Sequence, residues 1–166
     1  MSLESRDLVA LHDTFARRLW RVVVRLGVPE SSAEDVVQDI FLTAFKERAR
    51  FEGRSSPATW LYGIALRLAA NTRRSRKPSA ALSLVEPDTA PLADQELDRR
   101  RKLAELQRVL NQLPEEQREA VVLMDLEQLS APEAAEILEV KVNTLYSRLR
   151  LGRAALKGAL STEVKA

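Results

Sequence analysis

Trp60, Gly63, Arg67, Asn71 and Arg74 follow one another at intervals of three and four residues, so an α-helix would carry them on one strip. The strip offers a ring, a position without a side chain, an amide and two guanidiniums. That combination suits a nucleic-acid strand, whose bases stack on aromatics and whose phosphates take arginine. Directly before it, FEGRSS at 51–56 supplies Phe51, Arg54, Ser55 and Ser56 in a loop. Both Phe51 and Trp60 could instead serve packing, and the sequence leaves the two readings open.

Covalent and metal chemistry have little to work with. The 166 residues include no cysteine and a single histidine, His12. Disulfides and thiolate metal sites are excluded, and a zinc or histidine-based catalytic set is not expected. No catalytic residue, cofactor or metal site is assigned, and His12 reads as a solvated helix residue. Apolar residues make up 45% of the chain, glycines number five, and no alternating β-branched run of strand length occurs. The fold class expected is all-α, without a sheet. The first ten residues, MSLESRDLVA, lack a basic stretch leading into an apolar one, and no apolar run nears the roughly 20 residues that span a bilayer. A soluble, cytoplasmic protein without membrane insertion is expected.

The net charge of +2 hides a segregation of sign. Nine bases lie between Lys46 and Lys77 against Glu47 and Glu52, and five lie between Lys141 and Lys157 with no acid. Between the blocks, Glu86, Asp88, Asp94, Glu96 and Asp98 stand without a base. Two basic surfaces on either side of an acidic connector suggest two contacts on one polyanion, although each block alone could be a solvated face.

Periodicity supplies the elements that would position these groups. Leu8 to Leu26 reads as a packing helix stopped by Gly27 and Pro29. A second helix is expected to start at a capping box on Ser31 or Ser32 and to bury Val36, Val37, Ile40, Phe41, Ala44 and Phe45. Its other side shows Asp35, Gln38, Asp39 and Leu42, a candidate docking face for a partner protein. Ser56 can cap a third helix that starts at Pro57 and buries Leu61, Ile64, Ala65, Leu68 and Thr72. Tyr62 falls away from that stripe and is expected outside. The pattern then dissolves around Pro78, Pro87 and Pro91 into linker chemistry, which divides the chain into domains at 1–75 and 98–166 with a connector at 76–97. Drawn out, such a connector reaches about 70 Å.

In the second domain, helices are expected over Leu97–Leu113 and Glu115–Leu126. A short one follows, capped by Ser130 with Glu133, and then a long basic one from Asn143. A short helix, a turn and a longer basic helix form a helix-turn-helix. Leu145, Leu149, Gly152 and Leu156 would face inward. Thr144, Tyr146, Ser147, Arg148, Arg150 and Arg153 are candidate contacts to duplex DNA.

These segments resemble bacterial extracytoplasmic-function (group IV) RNA polymerase sigma factors of the sigma-70 family. AEDVVQDIF at 33–41 is similar to the family's polymerase-binding helix, and RFEGRSSPATWLYGIA at 50–65 to its promoter-melting segment. The stretches 110–138 and 143–156 resemble its C-terminal helix-turn-helix. The resemblance implies two small helical domains, a sigma-2-like bundle and a sigma-4-like helix-turn-helix, joined by a flexible acidic linker. It implies core RNA polymerase as partner, through the clamp of the largest subunit and the flap. It implies that Asp35, Gln38 and Phe41 belong to the docking helix; the helical phase turns Phe41 inward to packing, which leaves Asp35, Gln38, Asp39 and Leu42 as the docking surface. Phe51, Arg54, Ser55, Ser56, Trp60, Arg67, Asn71 and Arg74 would contact the minus-ten element as single strand. The last helix would read the minus-thirty-five duplex, and an anti-sigma factor would be a further partner. Arg67 stands where the family usually has Asn, while Glu139, Lys141 and Asn143 replace two glycines and a proline. The alternative is a stand-alone helix-turn-helix regulator with a ligand-sensing N-terminal half. A helical adaptor that never touches DNA would leave both basic blocks idle.

Overall fold

The computed structural model describes residues 5–75 and 94–163. The expected connector therefore lies outside the described residues, apart from 94–97, which already belong to a helix. Seven α-helices and no strand occur among the described residues: α1 Ser5–Arg25, α2 Glu30–Glu47, α3 Pro57–Ser75, α4 Asp94–Gln112, α5 Glu115–Val121, α6 Ala131–Ile137 and α7 Val142–Glu163. A single 3-10 turn at Arg48–Arg50 follows α2, and a π-helical turn at Val122–Leu126 extends α5. The all-α expectation matches this architecture.

Helices α1, α2 and α3 pack against one another. Leu19, Val22, Val23, Ile40, Leu61 and Ile64 are sealed from solvent at their centre, each contributing about 1.5–3 kcal/mol by leaving water. Ser56 caps α3 as expected: its Oγ accepts from the Thr59 N–H at 3.1 Å. The start of α2 differs from expectation. The helix begins at Glu30 behind Pro29 with no side-chain cap, because Pro29 already sets the entry φ and the chain turns into helix before either serine. Phe45 is also a correction, being 46% exposed. It sits at the edge of the apolar stripe, and the Arg48 guanidinium covers its ring at 4.1 Å from the centroid.

The C-terminal helices build a second unit in which α7 lies across α5 and α6. Gly152 makes that crossing close, since a Cβ there would meet Val121 Cγ2 at 2.7 Å and the Gln117 carbonyl at 3.1 Å. Ser130 accepts from the Glu133 N–H, while the Glu133 carboxylate takes the Ser130 N–H at 3.0 Å, completing the expected capping box. The Ser130 hydroxyl, and then its N–H, donate to the exposed Glu133 carboxylate and hold it below its usual range. α7 starts at Val142, one residue earlier than expected. Asn143 therefore lies inside the first turn rather than capping it, and Lys141 offers the first carbonyl, to Leu145. Glu139 in the preceding turn takes φ +53, and Gln128 takes φ +55 before α6, a region that costs a non-glycine residue roughly 1 kcal/mol.

The two units share one buried cluster. The joint runs along α3, on a face that the sequence reading placed outside. Tyr62, Leu66 and Ala69 are buried there in addition to Leu61, Ile64 and Ala65 of the predicted stripe, whose Leu68 and Thr72 are only half-buried, and α6 packs against the same helix. Tyr62, only 1% exposed, is thus a core residue. Its cover comes from a segment some 65 positions away, which local periodicity does not register.

Candidate nucleic-acid interface

Strip residues on α3 sort themselves by depth. Trp60 and Gly63 are half-buried, and Arg67, Asn71 and Arg74 are exposed. Nothing stands within 4 Å of where a Cβ on Gly63 would be, so that position is open to an approaching backbone. Phe51 is buried and stacks on Trp60 with centroids 5.2 Å apart and planes tilted by 47°. One ring supports the other, which leaves Trp60 as the aromatic presented to the outside. Arg54 and Ser56 are exposed and Ser55 half-exposed beside them. Arg54 pairs with Glu52 at 2.7 Å and Arg67 with Glu47 at 3.4 Å, both in solvent, where such pairs are weak and exchange easily.

On α2, Asp35, Gln38, Asp39 and Leu42 are all exposed on one side, Leu42 by 55%. Phe45 adds a second apolar group a turn further on, which the sequence reading had assigned to the core. Phe41 is half-buried and packs on His12 at 4.8 Å between centroids. Leu42 and Phe45 with three polar neighbours form a surface that offers both apolar area and orienting groups to a protein partner.

On α7, Leu145, Leu149 and Gly152 are buried and Leu156 half-buried, while Thr144, Tyr146, Ser147, Arg150 and Arg153 face solvent. Two arginines are held by acids of their own unit. Arg153 grips Asp125 with Nε at 2.9 Å and Nη2 at 2.5 Å, and the bond raises its already high pKa. Arg148, less exposed than its neighbours, reaches Glu116 at 2.9 Å. These pairs fix the direction of each side chain along the outer face of the helix.

A cluster missed by sequence reasoning lies at the joint. The Glu127 carboxylate, 3% exposed, accepts from Arg18 Nε at 2.7 Å, Arg25 Nη1 at 2.8 Å and Tyr62 Oη at 3.1 Å. Arg18 Nη2 also donates to the Glu127 carbonyl at 3.0 Å. Burial and the neighbouring Glu127 charge push the Tyr62 hydroxyl well up, so it stays a donor. Nearby, Arg118 donates to the carbonyls of Leu113 and Leu26. Burial and the Arg73 charge bring its pKa down to about 10. The signals for this cluster are faint: two arginines seven apart on α1, and one acid closing an apolar run.

Comparison with known proteins gives the geometry a family. The model of sigma-70 region 2 matches residues 11–78, and that of sigma-70 region 4 matches residues 103–156. The RNA polymerase sigma-H factor of Pseudomonas aeruginosa is 32% identical over 172 residues, covering 93% of this chain and 85% of that one. The chain belongs to the sigma-70 family. Within it, the extracytoplasmic-function sigma-E factor of Escherichia coli K12 is 33% identical over 141 residues, covering 78% of this sigma factor and 74% of that one. Among solved structures, CnrH in complex with the cytosolic domain of CnrY superposes with a TM-score of 0.76 at 26% identity, covering 96% of this chain and 90% of that one. The fold is also that of the Bartonella quintana sigma factor RpoE, solved with the anti-sigma factor NepR, at a TM-score of 0.72 over 94% of this chain and 98% of that one. Region 2 thus corresponds to α1–α3, and region 4 to the helices that end in α7. No described helix is long and apolar enough to cross a membrane.

Proposed function

We propose that this sigma factor docks on core RNA polymerase through α2, captures and melts the minus-ten element with α3 and its preceding loop, and anchors the minus-thirty-five duplex with α7. Asp35, Gln38, Asp39 and Leu42 meet the polymerase clamp, with Phe45 extending the apolar part. Trp60 stacks on an unpaired base while Phe51 holds it from behind, and each such stack contributes about 1–3 kcal/mol. Arg54, Ser55 and Ser56 line the loop where a flipped base would lodge. Arg67, Asn71 and Arg74 lead the strand away through phosphate and sugar contacts. Tyr146, Ser147 and Arg150 reach base edges from α7, flanked by Thr144, Arg148 and Arg153 on the backbone. The protein supplies specificity and strand separation without catalysis of its own, works in the cytoplasm, and takes residues 1–75 and 98–166 as its two functional domains. An anti-sigma factor is its expected restraining partner.

One observation carries this reading: a single chain places an apolar and acidic docking face, a braced aromatic at a loop and an outward basic helix on three separate helices. A stand-alone regulator needs only the last of them. Run-off transcription with core polymerase on promoter templates tests the proposal, with product expected only when this chain is present. Tight duplex binding without polymerase, and no transcript with it, would favour the regulator instead. Asp35→Ala combined with Leu42→Ala is expected to weaken core binding about tenfold or more, roughly 1.4 kcal/mol. Both side chains are exposed, so helicity should not change.

A further inference from the structure

Glu127 occupies an unusual position for a carboxylate. It closes the π-helical turn, its N–H donates to the Val122 carbonyl, and its side chain is almost wholly buried. Among the described residues, its side-chain partners belong to the other unit: Arg18 and Arg25 on α1, Tyr62 on α3. Within region 4 alone this acid would be bare. Around it the contact is polar as well as apolar, since Gln107 donates to the Val24 carbonyl, Arg118 to the Leu26 carbonyl, and Arg73 pairs with Glu115 at 3.3 Å.

Such a joint can part. Buried ion pairs sit near energetic balance, because the cost of drying the charges offsets most of their attraction. Water can re-solvate both sides on separation, so a joint closed by charges opens more readily than one closed by leucines. Opening is required by geometry. A compact body of about 140 residues has a radius of gyration near 14 Å and spans roughly 40 Å. DNA elements about 25 base pairs apart, at about 3.4 Å each, lie roughly 85 Å apart. The closed arrangement leaves the outer faces of α3 and α7 free yet holds them too near each other to occupy both elements.

We propose that Glu127 is a latch: its contacts with Arg18, Arg25 and Tyr62 hold regions 2 and 4 together in the free sigma factor, and their release is the step that lets the two DNA-facing helices separate. The latch rests on the sigma-factor reading only for its purpose, since closure is a property of the free chain. Glu127→Gln removes the charge at constant shape, and Arg18→Gln with Arg25→Gln removes it from the opposite side.

The test is a distance measurement in the full chain. Cysteines introduced at the exposed Ala49 and Ala155 of this cysteine-free protein carry spin labels, read by double electron–electron resonance. With Glu127 intact, one short and narrow distance is expected. Glu127→Gln should convert most of it to a broad distribution tens of ångströms longer, with helicity by circular dichroism unchanged. Should Glu127→Gln lose helicity, the double arginine variant decides. A short, narrow distance in a folded variant from either side would overturn the latch, as would a long distribution with Glu127 intact. Core polymerase added to the labelled chain separates the two readings. Opening of the variants without any polymerase binding keeps the latch and sinks the sigma-factor role, whereas binding with no change in the free-chain distance does the reverse.

Discussion

Helices α3 and α7 both present arginines to solvent, but they are supported differently. α7 buries one stripe, Leu145, Leu149 and Gly152, and its strongest crossing is with α5 of its own unit. Arg148 and Arg153 are steadied by acids from the same unit, Glu116 and Asp125. α3 buries two stripes, one on region 2 and one, through Tyr62, Leu66 and Ala69, at the joint with region 4. Its last turn is shared as well, as Arg73 reaches Glu115. The consequence is an asymmetry: separating the units leaves the face of α7 as it was, while α3 gives up the cover over Tyr62. A DNA-reading surface that must act through a change of domain arrangement is best built on a helix that the change does not touch. A melting surface can afford to be coupled to it.

The sharpest way to break this contrast is at Gly152. Valine there would press on Val121 and on the Gln117 carbonyl, and overpacking of this kind costs about 1–3 kcal/mol. For a unit of this size the thermal midpoint of region 4 should fall by about 5 °C or more per kcal/mol, seen by calorimetry. With the units parted by Glu127→Gln, region 2 should unfold as before. An equal loss in both transitions would show that α7 does not rest on its own unit alone.

Trp60→Ala comes next in size. Loss of one braced stack, about 1–3 kcal/mol, should cut open-complex formation by about five- to 150-fold in permanganate footprinting, with duplex binding little changed. Normal melting would return Trp60 to a packing role beside Phe51. Arg150→Ala should weaken minus-thirty-five binding by about 1–3 kcal/mol and relax base preference at one position, measured by fluorescence anisotropy on mutated duplexes. The loss should be the same in a Glu127→Gln background, because α7 does not depend on closure. Smallest of all, Glu139→Gly should relieve the left-handed turn before α7 and raise the stability of region 4 by up to about 1 kcal/mol in urea unfolding. A loss of stability would mean that the turn is not strained.

How far the sequence carried these conclusions follows from the range of each signal. Capping at Ser56 and Ser130, the inward stripe of α7 and the outward set Tyr146, Ser147, Arg150 and Arg153 were legible, because all depend on residues within four positions of each other. The exposed side of α2, Asp35, Gln38, Asp39 and Leu42, was legible for the same reason, although Phe45 was counted inward when it lies at the stripe's rim. The joint was not legible. Tyr62 looked like a surface residue because the acid and helices that bury it come from the other end of the chain, and Glu127 looked like one more acid beside a turn. Pairing over such separations depends on tertiary geometry, on which a helical period is silent.

The π-helical turn at 122–126 carries one last consequence. A turn with a residue more than an α-helix needs is a spacer that sets phase. Deleting a single residue there would rotate everything after it by about 100°, swinging Glu127 off the joint and re-aiming α6 and α7 together. The segment should therefore reject length changes that an ordinary loop absorbs, and it is the wrong place to cut and rejoin when halves of related sigma factors are exchanged.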